Sequence, residues 1–591
     1  MVGYPVGISS FEKLVDKGYP FVDKSMIIAD LIDSGREVTL YTRPRRFGKS
    51  LNLSMIECFF DISRRGKKDL FEGLRIERSD RYDLCYKKEQ CAHPVIRLSF
   101  ADIDVSTVES LESSMRNLVS MVAEKVRKQI LPLNTDELDL ERIERYSRKD
   151  IEREEMISSM HELCRILSET FGSRTIVLID EYDRPFQAGI RMDHSDPRKT
   201  LLSSFMTKTL KDNDHLEFGV MTGIIRLSNA GILSGLNNIF VSDIFSHSGQ
   251  EFFGITEDEA INLLGSDSEK DLETLKEWYD GYRFGDANVF NPWSIMCFLD
   301  NGRRPEPYWD ADSQNYAFDR QFMSAPGSVT DKISKLFDGK DESVVYAIDR
   351  TMDYESGPFA EDRQKIFYTF LAMTGYLKAI PLSMEGGSPL CRLSVPNKEV
   401  KFRYSDLIAR TRLSHASAFV ERVLQRDEAG ASVEIEKIFH GLSYDDGLDH
   451  DTLKRMLTMH LGSLGYDATD EQRRMFGDID ILLSLRNGMQ AVIELKTSKK
   501  TSARPDALAI EAVDDVRRKG IARNPYGTAV MTIGLGVCPS GFSAKIERVA
   551  ARYSHERTYH IQGRHGSRIW PWPSESKWPP TRLTHNDLLQ E

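Results

Sequence analysis

Four short apolar runs punctuate the first part of the chain: Glu37–Thr42, Val95–Phe100, Thr175–Asp180 and Phe218–Gly223. None of them alternates apolar with polar positions. Unbroken apolar character predicts strands buried on both faces, as in a parallel sheet covered by helices. Stretches of helical pattern separate the runs, and the charged stretch from about 134 to 170 predicts helices outside that sheet with a solvated face. Residues 251–320 combine helix formers with aromatics, among them Phe252, Phe253, Trp278, Tyr279, Tyr282, Phe284, Trp293 and Trp309. Gly281 and Gly285 break that pattern, and Asn291-Pro292 can start a helix. Residues 321–435 read as further helices with a short β-rich piece near Gly375–Pro381 and Cys391–Val395. An amphipathic helix over Asp451–Leu461 then leads to Gly477–Leu483, which Arg486-Asn-Gly488 joins to Gln490–Lys496. Asn-Gly between two apolar runs predicts a β-hairpin. From about residue 561 tryptophan and proline dominate, as in Ile569-Trp-Pro-Trp-Pro573, and an extended tail is expected.

Composition narrows the class. A chain of 591 residues implies several domains, and 40% hydrophobic with 29% charged residues suits a globular protein rather than a disordered one. No run approaches the roughly 18 apolar residues of a membrane helix, and the N-terminus has no basic-then-apolar signal pattern. A cytoplasmic protein without a membrane partner is expected. The seven cysteines are scattered, and Cys85, Cys91 and His93 lack a CxxC pair, so reduced thiols are expected there rather than zinc. The net charge of −12 argues against a surface that coats nucleic acid, yet leaves room for one local basic groove.

The first apolar run leads directly into Arg43-Pro44-Arg45-Arg46-Phe47-Gly48-Lys49-Ser50. This has the shape GxxxxGK[ST], with Arg43 in place of the first glycine. Gly48 permits close backbone approach to phosphate, Lys49 can reach the β and γ phosphates of ATP, and Ser50 can ligate Mg²⁺. A helix beginning at the loop would turn its N-terminal amides toward the same phosphates. The third run ends in Asp180-Glu181, the arrangement in which Asp180 holds Mg²⁺ through water and Glu181 acts on the attacking water. The fourth run ends Met221-Thr-Gly-Ile-Ile-Arg226, which makes Arg226 a candidate sensor of the terminal phosphate.

A second constellation lies in the C-terminal hairpin. Asp480 sits on its first strand, and Glu494 and Lys496 share one face of the second because strand side chains repeat every two residues. Two carboxylates make a hard oxygen site for Mg²⁺, with Mn²⁺ as the alternative, and Lys496 can stabilise charge developing at a phosphodiester. The competing reading is an exposed hairpin with a surface Glu–Lys pair. Lys499, Lys500, Arg517, Arg518, Lys519 and Arg523 add a local basic cluster able to meet a nucleic-acid backbone, or simply solvated.

Phe21-Val-Asp-Lys24, the Thr42–Ser50 loop, Asp180-Glu-Tyr-Asp183 and Thr222–Arg226 with Ser234-Gly-Leu-Asn-Asn238 resemble the prokaryotic AAA-ATPase-like family. Trp278-Tyr-Asp-Gly-Tyr282, Phe290-Asn-Pro-Trp293 and Leu393–Glu399 carry the same resemblance. In that family a C-terminal PD-(D/E)XK nuclease-like domain follows the ATPase, and the glycine-poor loop is common. The resemblance implies an α/β multidomain fold: a P-loop NTPase parallel-sheet domain over 1–250, a helical lid over 251–320 and a mostly helical connector over 321–435. A restriction-endonuclease-like α/β domain would span 436–560 and a Pro/Trp-rich tail 561–591. Asp478 becomes an auxiliary acid and Glu471 an upstream one, while Asp515 stands where a glutamine is expected. The implied activity is ATP binding and hydrolysis coupled to a metal-dependent nuclease acting on DNA or RNA. The alternative is an ATP-driven switch whose last domain binds nucleic acid or protein without cutting, with a nucleotide-dependent oligomer or protein partner.

Overall fold

In the computed structural model the described residues are 3–133, 135–187, 196–227, 235–265, 269–310, 336, 343–351, 360–439, 450–474, 477–485, 489–519 and 530–549. The expected tail, the Arg486–Gly488 turn and Arg523 lie outside them.

The four apolar runs form strands β1 (Val38–Thr42), β2 (Val95–Ser99), β3 (Thr175–Asp180) and β4 (Leu216–Gly223). A fifth strand, β5 (Ile239–Ser242), completes a sheet of order β2-β3-β4-β1-β5 whose neighbours all pair in parallel. Both faces are covered, as the unbroken runs require. Tyr41, Ile176 and Leu178 point into one core, whereas Val38, Leu40, Val177 and Ile179 point into another. The second core is roofed by the helices Val108–Ile130, Glu137–Ser147, Arg153–Phe171 and Pro197–Leu210.

The segment expected to be a helical lid contains helices Glu257–Leu264, Glu269–Tyr279 and Pro292–Asp300, but also a hairpin of β6 (Tyr282–Phe284) and β7 (Ala287–Val289). Gly281 and Gly285 flank strands here; they do not interrupt one helix. Beyond it, β8 (Val344–Ala347), β9 (Lys378–Glu385) and β10 (Ser388–Ser394) form an antiparallel sheet of order β8-β10-β9. One apolar cluster runs from Phe11 through the hairpin to Val400 and Tyr404, and a separate one begins at Ala416. The break between cores therefore falls inside the helix Lys398–Gln425, earlier than the expected boundary at 435/436.

The C-terminal sheet has the order β11 (Asp467–Arg474), β12 (Gly477–Ser484), β13 (Gln490–Thr497), β14 (Val530–Cys538) and β15 (Gly541–Val549). Only β13 and β14 pair in parallel. The helix Pro505–Arg518 lies between them in sequence and packs on β14, as a parallel crossover requires.

Candidate functional site

β1 ends at Thr42 and the chain turns through the loop into the helix Lys49–Phe60, whose N-cap is Gly48 at φ +81°. Arg46 is also left-handed at φ +66°, a conformation costly for a residue with a side chain and typical of functional loops. The first amides of this helix have no partner within the helix, which suits them to an anion. Lys49 is buried, and its ammonium donates to the Arg43 and Pro44 carbonyls at 2.9 and 2.7 Å. Burial pulls its pKa down to about 8, against the opposing pull of Asp180, Asp183 and Glu181.

A cavity of about 390 Å³ opens over this loop. Arg45, Arg46, Phe47, Gly48, Lys49 and Ser50 line one side and Glu181, Asp183 and Arg184 another. Glu181 adopts φ +53°, and burial, then the neighbouring Asp180, raises its pKa. Asp180 stands behind this wall: its Oδ1 accepts the Thr222 hydroxyl at 2.5 Å, and Arg97 lies 3.9 Å from Oδ2. Asp183, which motif reading left without a role, is buried and accepts the Ile224 and Ile225 amides at 2.9 Å each. Its Oδ2 also accepts Gln187, whose own oxygen receives Arg45 at 3.3 Å.

Three expected ligands, Arg43, Pro44 and Arg226, do not line the cavity, and Pro44 takes part only through the carbonyl that receives Lys49. The Arg43 guanidinium is fully buried and donates to the Thr42, Ser242 and Gly249 carbonyls and the Ser242 hydroxyl, at 2.7–3.1 Å. It does not line the cavity; only its carbonyl takes part, through Lys49. Arg226 is also absent from the lining, because the chain after β4 wraps on Tyr182 and Asp183.

The opposite wall comes from the chain before β1 and from the hairpin-bearing segment. Asn291 caps the helix Pro292–Asp300 by accepting the Trp293 amide at 2.9 Å, as Asn-Pro predicts. Trp293 receives Arg46 with the guanidinium 3.7 Å from the ring centroid. Phe47 packs edge-on against Tyr282 and Phe284, at 4.9 and 5.2 Å between centroids, so the loop is clamped by the hairpin. Glu399 accepts the Ser294 hydroxyl at 2.9 Å and the Trp309 amide at 2.7 Å, and burial pushes its pKa up to about 8. Lys24 lines the cavity too, and is held by Glu259 at 2.6 Å.

The C-terminal constellation also assembles. β12 and β13 pair with Ile481 opposite Ile493, so the next step of the register sets Asp480 opposite Glu494. Asp480 Oδ2 accepts the Leu495 amide at 2.8 Å and lies 3.1 Å from His450 Nε2. Burial pushes Asp480 up, but these two neighbours outweigh it and hold the carboxyl below its ordinary range. Glu494 Oε1 receives Lys519 at 2.7 Å, while its Oε2 is buried without a hydrogen-bond partner among the described residues. Burial, then Lys519 against it and Asp480 with it, leave the Glu494 pKa raised. Lys496 forms an ion pair with Asp515, the position where glutamine was expected. His450 escaped motif reading, and Lys519 was read only as part of the basic cluster, not as a partner of Glu494. Lys519 follows Asp515 by four residues, a helical spacing that brings both to one side, whereas His450 carries no local signal. Asp478 and Glu471 fall among side chains that are not described. The basic cluster is largely matched: Arg517 with Asp514 and Glu547, Arg518 with Asp515, Lys519 with Glu494.

A parallel sheet of order β5-β1-β4-β3-β2, a phosphate-type loop after β1 and acids at the end of β3 fit a P-loop NTPase domain. Residues 5–233 match the model of the family described as predicted AAA-ATPase. A protein of Azotobacter chroococcum mcd 1, described as uncharacterized in the vnfD 5′ region, is 25% identical over 542 residues, 88% of this chain and 92% of its own. Among solved structures, the Aeropyrum pernix Orc1 protein in complex with DNA aligns over 68% of this chain and 98% of its own. Its identity is 10% and its TM-score 0.24. No helix among the described residues is long and apolar enough to cross a membrane.

The lowered pKa of Lys49 sets a pH dependence. Phosphate needs the ammonium, so affinity for MgATP is expected to weaken as pH rises through about 8, approaching tenfold per unit above it. Titration calorimetry at pH 7 and 9 measures this, and Lys49→Arg should flatten the profile. The free protein shows the opposite sign. The cost of burying the ammonium is present below pH 8 and is relieved toward 10.5, the unfolded-state value, so stability rises over that window.

Proposed function

We propose that the chain is an ATPase whose nucleotide state acts on a C-terminal metal-dependent phosphodiesterase that cleaves nucleic acid. The observation that carries the ATPase half is the convergence of Lys49, Ser50, Glu181 and Asp183 on one cavity. Lys49 would exchange its two loop carbonyls for phosphate oxygens, and the amides opening the helix Lys49–Phe60 would add to that cradle. Ser50 and Asp180 would hold Mg²⁺, which neutralises charge on the phosphates. Glu181, its pKa raised by burial, would accept a proton from the attacking water.

For the phosphodiesterase half, the support is Asp480 opposite Glu494 and the orphaned, buried Oε2 of Glu494. A buried carboxylate oxygen without a donor is what a hard divalent cation satisfies. Bound there, the metal would supply a nucleophilic hydroxide at neutral pH. His450 would orient Asp480, and Lys496 or Lys519 would stabilise the developing charge.

One observation favours the second reading, a switch that binds without cutting: Lys496 is engaged by Asp515 and Glu494 by Lys519. Incubation with labelled DNA and RNA, Mg²⁺ or Mn²⁺, with and without ATP, separates the two. Glu181→Gln should bind MgATP yet hydrolyse it about a hundredfold more slowly. Cleavage that disappears in Lys496→Ala supports the nuclease. ATP turnover without cleavage of any strand supports the switch.

A further inference from the structure

The cavity wall carries five cationic side chains, Lys24, Arg45, Arg46, Lys49 and Arg184, against two carboxylates, Glu181 and Asp183. Lys24 belongs to Glu259, Lys49 to the loop carbonyls and Arg46 to the Trp293 ring. Arg184 is different. It immediately follows Asp180-Glu-Tyr-Asp183, and its amide donates to the Glu181 carbonyl at 3.0 Å. That turn sets Glu181 and Arg184 three residues apart on one face, and both side chains line the cavity. Among the described residues no hydrogen bond or ion pair engages the Arg184 guanidinium, although its charge acts on neighbouring Glu181. Arg45, held in place through Gln187 and Asp183, lines the same cavity. Burial, then the charge of Arg184, depress the Arg45 pKa. Two guanidiniums on the wall of one cavity repel each other unless an anion lies between them, and planar forks match phosphate oxygens.

We propose that Arg184, together with Arg45, grips the terminal phosphate of a bound nucleoside triphosphate, so that one chain by itself distinguishes triphosphate from diphosphate. This rests on the reading of the cavity as a nucleotide site. Lys49 and the helix amides hold the phosphates common to both nucleotides, and the arginine pair beside Glu181 holds the one that leaves. Placed there, Arg184 also stabilises the charge that spreads over the γ-phosphoryl oxygens during transfer.

The test is titration calorimetry of the full chain with MgATPγS and with MgADP, for the wild type, Arg184→Ala and Arg184→Lys, with thermal midpoints recorded alongside. The wild type should bind the triphosphate at least about tenfold more tightly than the diphosphate. In Arg184→Ala that preference should vanish with MgADP affinity within about twofold of wild type, and Arg184→Lys should recover part of it, because an ammonium keeps the charge but loses the fork. An undiminished preference in Arg184→Ala overturns the proposal, as does an equal loss for both nucleotides. A wild type that binds neither nucleotide removes the nucleotide site itself, and this proposal falls with it.

Discussion

Arg43→Ala is expected to destabilise the N-terminal region by about 3–5 kcal/mol, a size usual for stripping one partner from a buried charged network. Arg43 occupies the loop position where a phosphate-binding glycine would be sought, yet its guanidinium runs away from the cavity. It fastens the end of β1 to the end of β5 through the Ser242 carbonyl and hydroxyl, and reaches on to the Gly249 carbonyl. The Phe253 and Phe284 rings flank it, at 5.2 and 4.9 Å. Burial lowers its pKa to about 10, offset in part by Asp243, so it stays charged at neutral pH. Alanine would leave the Ser242 and Gly249 carbonyls buried without their donor and open a cavity between two rings. Arg43→Lys should fall between, since one ammonium cannot span acceptors that the fork reaches from two nitrogens. Urea unfolding followed by circular dichroism measures the change. An Arg43→Ala protein of unaltered midpoint that no longer binds MgATP would return Arg43 to the phosphates and remove this structural role.

What could be read in advance, and what could not, follows the range of the interactions. β1 to β4 announced themselves because each is mostly buried and mostly apolar, with Arg97 and Ser99 of β2 and Glu217 of β4 as the exceptions. β5 did not, since this four-residue edge strand is mostly half-buried and flanked by polar turns. The Lys49 loop was legible because a strand, a loop and a helix start put its chemistry within a few residues, and Glu181 because it directly follows a buried strand. Arg43 was misplaced because its partners lie 199 and 206 residues away, beyond any local pattern. The aromatic stretch 278–293 read as helix and lid, whereas Gly281 and Gly285 bracket a hairpin whose Tyr282 and Phe284 clamp Phe47. In the C-terminal sheet the period of two predicted that Glu494 and Lys496 share a face. It was silent about Lys519 and His450, which arrive from helices on either side of the hairpin in sequence.

Those arrivals depend on how closely one helix can lie on the sheet, and Gly536→Ala should break it. Gly534 and Gly536 share the face of β14 against which the helix Pro505–Arg518 packs. A Cβ at Gly536 would stand 1.9 Å from the Pro505 carbonyl oxygen and 2.6 Å from the Ala509 nitrogen, and one at Gly534 would stand 2.1 Å from the Ala509 carbonyl oxygen. These obstacles are backbone, so no rotamer change relieves them and the helix must lift. The expected loss is about 3 kcal/mol or more from the C-terminal core. The lifted helix carries Asp515 and Lys519 away from Lys496 and Glu494, so any activity of that constellation should fall with it. Nucleotide binding should persist, because the cavity belongs to a separate core. Gly462→Ala supplies the control: it lies in the helix His450–Ser463 with open space around a new Cβ, and should be neutral or stabilising by up to ~1 kcal/mol. Limited proteolysis with parallel MgATP titration reads both halves of the chain at once. Equal resistance of Gly536→Ala and Gly462→Ala would mean that the helix does not ride directly on β14. Selective loss of the C-terminal core in the former would show that the absence of two side chains, as much as the presence of the charged ones, builds that site.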